Sequence, residues 1–260
     1  MNIDLFLSFF GMFFLYTLIL YFAAPSKTIT FKEIYTSVFA GLASISILQF
    51  MYAIFPDNIT SNTFLEFMYI VAPREELSKF IMFCLITIWI GKKRKIKPVG
   101  YMIISCAVGL GFALEENMHY YLKYGSHVLD IRNVSAMPAH MFFGGIMGYW
   151  YAVGKLNIGK FGRRINLGHW FRKSRLAIYT MIGLFCATMI HGIWNYSLSF
   201  YSKMLNMLVD SVPKVMSLPT FTTGWLPITL FVIFVLLFFM RMLYRDLIRL
   251  EKEKQDYINE

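Results

Sequence analysis

Apolar residues run along this chain in blocks of about 20, the length a helix needs to cross a bilayer. Seven blocks qualify, at 4–24, 36–55, 64–90, 99–121, 137–154, 176–200 and 225–243. The third is too long for one simple span. Pro73 falls inside it, and proline favours the first turn of a helix. The pattern therefore predicts an outer or re-entrant piece at 59–72 and a span from 73 to 90. The fold class is all-α: a polytopic membrane bundle of about seven to eight transmembrane helices, forming one domain over 1–243. Residues 244–260 read as a charged, amphipathic cytoplasmic tail. There is no internal repeat and no low-complexity segment.

Composition supports this reading. Hydrophobic residues make up 57% of the 260 and charged residues 15%, against about 25% charged in soluble domains. The mean hydropathy is +0.55. Cys84, Cys106 and Cys186 lie in apolar runs with no CxxC pair, which predicts small core residues rather than a disulfide or zinc framework. Met1-Asn2-Ile3-Asp4 lacks the basic start of a cleavable leader, so the first block reads as a retained helix.

The net charge of +10 is distributed by topology. Loops 25–35, 91–98 and 155–175, with the tail from Arg241, hold 19 of the 25 Lys and Arg. The alternate loops hold only Lys123, Arg132, Lys203 and Lys214. Cytoplasmic loops are the basic ones, which places the N-terminus outside and the C-terminus inside a cell membrane. The charge thus predicts contact with anionic lipid and no nucleic-acid partner.

Ionisable residues within a span cost roughly 2.5–3.5 kcal/mol each at its centre. Four groups nevertheless occur: Arg74-Glu75-Glu76-Leu77-Ser78-Lys79, Glu115-Glu116-Asn117, His140, and His191 with Asn195. With the orientation above, all four fall at similar depth on the extracytoplasmic side. They predict one polar site inside the bundle. His191 and Asn195 share a helix face at i, i+4, as do Phe112 and Glu116, and His140 and Gly144. Glu75 and Lys79 have the same spacing and predict an ion pair. Gly144, Gly145 and Gly148 permit close helix contact. Four acids against Arg74 and Lys79 leave a deficit that a low-dielectric site does not hold bare. Retained protons, a charged histidine or a divalent cation would each relieve it. Glu115 reads as a carboxylate facing head groups, His119 and His127 as interfacial, and His169 as solvated.

Carboxylates, histidines and an asparagine in one water-accessible pocket suit hydrolysis by activated water, with a Glu as base and His and Asn as oxyanion donors. No HExxH, GxSxG or Gly-x-Gly-Asp motif is present. A non-catalytic membrane scaffold that binds helices is the alternative. A proton-coupled transporter is a third reading, without the inverted repeat such proteins usually show. The outer loop 201–224, with Pro213 and Pro219, is placed to act as a lid or clamp.

Four motifs then carry a resemblance. Glu75-Glu76-x-x-Lys79 looks like EExxK, and Glu116-Asn117 closes a second motif that begins at Gly111. His140-x-x-x-Gly144 matches HxxxG, and His191-x-x-x-Asn195 matches HxxxN. In this order, over about 71–195, they resemble the PrsW intramembrane proteases, distant relatives of the type II CAAX prenyl proteases and bacteriocin-processing enzymes. The resemblance implies a glutamic or metal-dependent intramembrane protease. Its substrate would be a membrane-anchored protein such as an anti-sigma factor, cut near the outer face. It also implies Glu75 as general base supported by Glu76, His191 and Asn195 as the oxyanion pair, and His140 as orienting water or a metal. Lys79, Glu116 and Asn117 complete the site. Glu116 stands where the prenyl-protease relatives carry histidine. A Glu/His cluster suits a divalent ion such as zinc, with Glu76, Glu116, His140 and His191 as candidate ligands.

Overall fold

The computed structural model describes residues 11–25, 28–56, 63–156, 174–211 and 219–259. The start of the first predicted span, most of the basic loop at 155–175 with His169, and Pro213 lie outside them, as does the side chain of His127. The described residues form an all-α membrane bundle with no strand.

The elements are α1 (Met12–Ala23), α2 (Phe31–Ile54), the short α3 (Thr63–Glu66), a π-helical turn (Phe67–Val71), α4 (Ala72–Gly91), α5 (Pro98–Tyr124), α6 (His127–Val134), α7 (Ala136–Leu156), α8 (Arg175–Ser211) and α9 (Pro219–Asn259). Helix α2 opens with a capping box: the Thr30 hydroxyl accepts from the Glu33 amide, and the Glu33 carboxylate accepts from the Thr30 amide at 2.7 Å. The same carboxylate takes a bidentate fork from Arg94, whose guanidinium also reaches the Thr28 carbonyl. One arginine thus ties the α4–α5 connection to the start of α2.

At Pro73 the chain stays helical where the sequence predicts a break. Proline lacks the N–H for an i→i−4 bond, and its ring crowds the carbonyl of residue 69. The five residues before Ala72, Phe67–Val71, relieve this by widening into a π turn. The segment from Thr63 to Gly91 therefore runs continuously, and Pro73 sits in the first turn of α4.

Helix α5 is the centre of the bundle. It packs on α7 along one side and α2 along another, while α8 lies on α7, α4 contacts α2 and α8, and α9 crosses α7. Its most apolar window is 83% buried, against 33% for α2. Phe22, Phe50, Phe55 and Leu122 are exposed large side chains, the surface that lipid tails would cover. Among the described residues, three helices have the length and hydropathy of a span: Phe31–Ile54, Pro98–Tyr124 and Arg175–Phe200. Helix α4 carries Arg74, Glu75, Glu76 and Lys79 in one stretch, which lowers its mean hydropathy.

Two glycine contacts set the helix spacing beside the histidines. A Cβ on Gly109 of α5 would overlap the carbonyl oxygen of His140 on α7. A Cβ on Gly192 of α8 would lie 3.2 Å from the Phe67 carbonyl oxygen and 3.2 Å from the Met68 Cα, both in the π turn. The absence of side chains at these positions lets α5 approach α7, and lets α8 approach the segment that leads into α4.

Candidate active site

Four helices contribute to one buried polar cluster. Helix α4 supplies Glu75, Glu76 and Lys79, α5 supplies Glu116 and Asn117, α7 supplies His140, and α8 supplies His191 and Asn195. Glu76, Lys79 and Asn117 are fully buried, His191 is 1% exposed and His140 4%. The His140 and His191 rings lie edge to face with centroids 5.0 Å apart, and Phe143 stacks on His191 at 4.7 Å.

The hydrogen bonds fix the histidine tautomers. One oxygen of Glu76, Oε1, lies 2.5 Å from Lys79 Nζ and 2.7 Å from His191 Nδ1. A carboxylate only accepts, so His191 carries its hydrogen on Nδ1. Its Nε2 lone pair then accepts from Asn195 Nδ2 at 3.1 Å and stands 3.5 Å from Glu75 Oε2. Lys79 Nζ also lies 3.2 Å from His140 Nδ1. An ammonium has no lone pair, so that nitrogen accepts and His140 Nε2–H donates to Glu116 Oε2 at 2.9 Å. The Lys79 ammonium is further held over the Phe112 ring, 4.6 Å from its centroid.

Lys79 thus pairs with Glu76 at i, i+3, not with Glu75 at i, i+4. The side-chain direction on α4 sends Glu76 and Lys79 toward the same interior point, and leaves Glu75 turned to the histidines. Glu75 Oε2 and Glu76 Oε2 are buried without a hydrogen-bond partner among the described residues.

Arg132, which the sequence reading leaves in an outer loop, belongs to the site. It lies on α6, its Nη2 2.7 Å from Glu116 Oε2 and its Nε donating to Asn117 Oδ1 at 2.7 Å. The guanidinium stacks 3.6 Å from the Tyr120 ring centroid. Asn117 in turn donates to Asn133 Oδ1, so Asn117 braces Arg132. Arg74 is directed elsewhere, donating to the Phe55 carbonyl and lying over Tyr52. Glu115 is half-exposed and meets His119. Three acids and two bases remain inside, a smaller deficit than the sequence count. The charge deficit in the sequence is the one signal that bears on Arg132, and it reads as retained protons, a charged histidine or a divalent cation rather than as a further arginine.

The donors that fit a metal are also redistributed. Glu75, His140 and His191 each present a ligand atom, all within 4.8 Å of one another. Glu76 and Glu116 are the two expected candidates outside this set: Glu76 Oε1 already holds Lys79 and His191, and Glu116 Oε2 already meets Arg132 and His140. With its Nδ1 engaged by Glu76, His191 can present Nε2, and a carboxylate behind a ring is the partner that metal-ligating histidines usually have. His140 would present Nε2 only after giving up the hydrogen that it donates to Glu116. Two imidazoles and a carboxylate with an orphaned buried oxygen suit a divalent ion of the zinc type.

A family model for the PrsW family intramembrane metalloproteases matches residues 24–240, most of the chain. The chain belongs to the PrsW family. Two curated PrsW proteases are similar to it. That of Oceanobacillus iheyensis is 25% identical over 171 residues, covering 66% of this chain and 72% of its own. That of Shouchella clausii is 22% identical over 176 residues, covering 68% and 74%. No solved structure matches. Membership makes this an integral membrane protease, and the PrsW match spans all four helices of the cluster.

Proposed function

We propose that this PrsW-family protease hydrolyses a peptide bond of a membrane-anchored protein, such as an anti-sigma factor, near the extracytoplasmic face, using water activated at the Glu75–His140–His191 cluster. The observation that carries the reading is the convergence of side chains from α4, α5, α7 and α8 on a buried point where Glu75 Oε2 has no donor among the described residues and His191 Nε2 faces it at 3.5 Å. The loop charges support the outward placement, with the N-terminus outside.

Glu75 is the base that accepts the proton of the attacking water. Glu76 holds the His191 ring by its Nδ1–H, so that Nε2 stays turned to Glu75. Asn195 spends one amide hydrogen on His191 and keeps a second for the oxyanion of the tetrahedral intermediate. Lys79 anchors Glu76 and His140, and Arg132 holds Glu116 against His140. Glu75, His140 and His191 are the residues that would hold a divalent cation; such an ion supplies Lewis-acid polarisation of the scissile carbonyl and acidifies water.

The test is cleavage of a single-span substrate by purified wild type and Glu75→Gln. The variant should fold normally and lose cleavage. Retained cleavage by Glu75→Gln would overturn the assignment of Glu75 as the base, and no cleavage by either form, with a helix-binding function that survives the change, would favour the scaffold.

A further inference from the structure

Away from the polar cluster, a crevice of about 900 Å³ opens between α1, α5 and α9. This lies at the upper end of the roughly 300–1,000 Å³ of small-molecule sites. Its walls are apolar along most of their length: Leu20 from α1, Met102 from α5, Phe234 and Phe238 from α9. At one end the lining changes to Arg241, Tyr244 and Arg245.

That end coincides with a boundary in the sequence. Residues 230–240 are all apolar, and Arg241 is the first charge after them. Arg241 and Arg245 are one turn apart at i, i+4 and share a helix face. Neither makes an ion pair among the described residues. Two other basic residues of α9 are engaged: Arg249 pairs with Asp246 and Glu253, and Lys254 donates to the Leu156 carbonyl, while Lys252 is exposed. Tyr149 also donates to Asp246, and Leu247 and Leu250 are buried. The charged end of α9 is therefore docked on the bundle, and this holds Arg241 and Arg245 in place at the mouth of the crevice.

We propose that this crevice binds an anionic phospholipid, with acyl chains against Leu20, Met102 and Phe238 and the phosphate on Arg241 and Arg245. An apolar slot ending in two guanidiniums without an ion-pair partner among the described residues, at the apolar-to-charged boundary, matches an anionic lipid in both parts. Guanidinium forks suit phosphate oxygens, and basic pockets between transmembrane helices bind such head groups. A zwitterionic lipid satisfies the slot but brings its own cation to the arginines. The site is independent of the proteolytic reading, because none of these residues touches the Glu/His cluster.

The test is native mass spectrometry of the full chain in detergent, titrated with phosphatidylglycerol or with phosphatidylcholine of the same acyl chains. Wild type should retain phosphatidylglycerol preferentially. Arg241→Gln with Arg245→Gln should weaken that binding roughly 30-fold, since each guanidinium near a head group contributes about fivefold, and should leave phosphatidylcholine unchanged. Either single substitution, with a several-fold loss, serves if the double variant does not fold. Arg249→Gln should bind as wild type does. Leu20→Trp, which narrows the slot, should weaken both lipids. Equal retention of the two lipids, or phosphatidylglycerol binding unchanged by the arginine substitutions, would overturn the proposal. Displacement by glycerol phosphate alone would reassign the arginines to a free phosphate. Displacement by a single-span peptide without head-group preference would reassign the slot to a helix. Both results would likewise overturn it.

Discussion

His191 Nδ1 and Lys79 Nζ share one oxygen of Glu76, at 2.7 and 2.5 Å. The second carboxylate of the Glu-Glu pair is therefore occupied in orienting other groups, and the first, Glu75, is left to face them. Adjacent acids on one helix point about 100° apart, and here that divergence separates their roles.

Glu76→Gln tests this division. The amide still accepts through its oxygen, but it loses the charge that holds Lys79 and fixes the His191 tautomer. Losing such a carboxylate behind a histidine usually costs roughly 10–100-fold in metal affinity or activity. The expectation is a fall of that size in kcat with KM little changed, measured on a single-span substrate. Wild-type kcat would show that Glu76 orients nothing that matters.

Arg132→Gln should destabilise the protein by about 3 kcal/mol or somewhat less, because it strands the Glu116 carboxylate, which is 23% exposed, beside His140. Arg132→Lys should recover part of the stability without the fork to Glu116 and Asn117. Thermal unfolding in detergent reads both. Adding Glu116→Gln to Arg132→Gln should cost less than the sum of the two. Strict additivity would mean the pair is not coupled.

Gly109→Ala places a methyl on the His140 carbonyl, and overpacking of this kind costs about 1–3 kcal/mol. The shift falls on the backbone of a site residue, so activity should drop more than unfolding temperature suggests. Gly91→Ala is the comparison. A Cβ there meets nothing within 4 Å, and the change should stay within about 0.5 kcal/mol.

Metal content should follow the Glu75, His140 and His191 set. Protein purified without chelator should carry a divalent ion, measured by plasma mass spectrometry. His140→Ala and His191→Ala should lose it, and Glu115→Gln should keep it. A wild-type enzyme that cleaves without bound metal would exclude the ion from the reaction.

The helices were legible because hydrophobic block length is set by bilayer thickness, and the polar cluster because ionisable residues are rare inside such blocks. Three features were not legible. Lys79 has Glu75 and Glu76 equally within helical reach, and only packing against α7 and α8 selects Glu76. Arg132 lies in a segment that reads as a loop, and α6 brings it back over Glu116 by a tertiary contact that no local pattern encodes. The turn before Pro73 looks like a stop, whereas a π turn absorbs the proline and lets the helix continue.

That π turn also sets a rotational phase. Met68 and Glu76 both face α8, the first against Gly192 and the second at His191. Eight α-helical residues would turn them about 80° apart, since each residue advances about 100°. The wider turn gives back most of that angle, because a π turn takes about one residue more than an α turn. Deleting a single residue within 69–71 would therefore leave the thread in phase, since seven α-helical steps come to about 700°, only about 20° short of two full turns. One residue more in that stretch would instead add about 100°, and Met68 and the acids at Glu75 and Glu76 could no longer face the same neighbour, so the helix would keep either its seat or its chemistry.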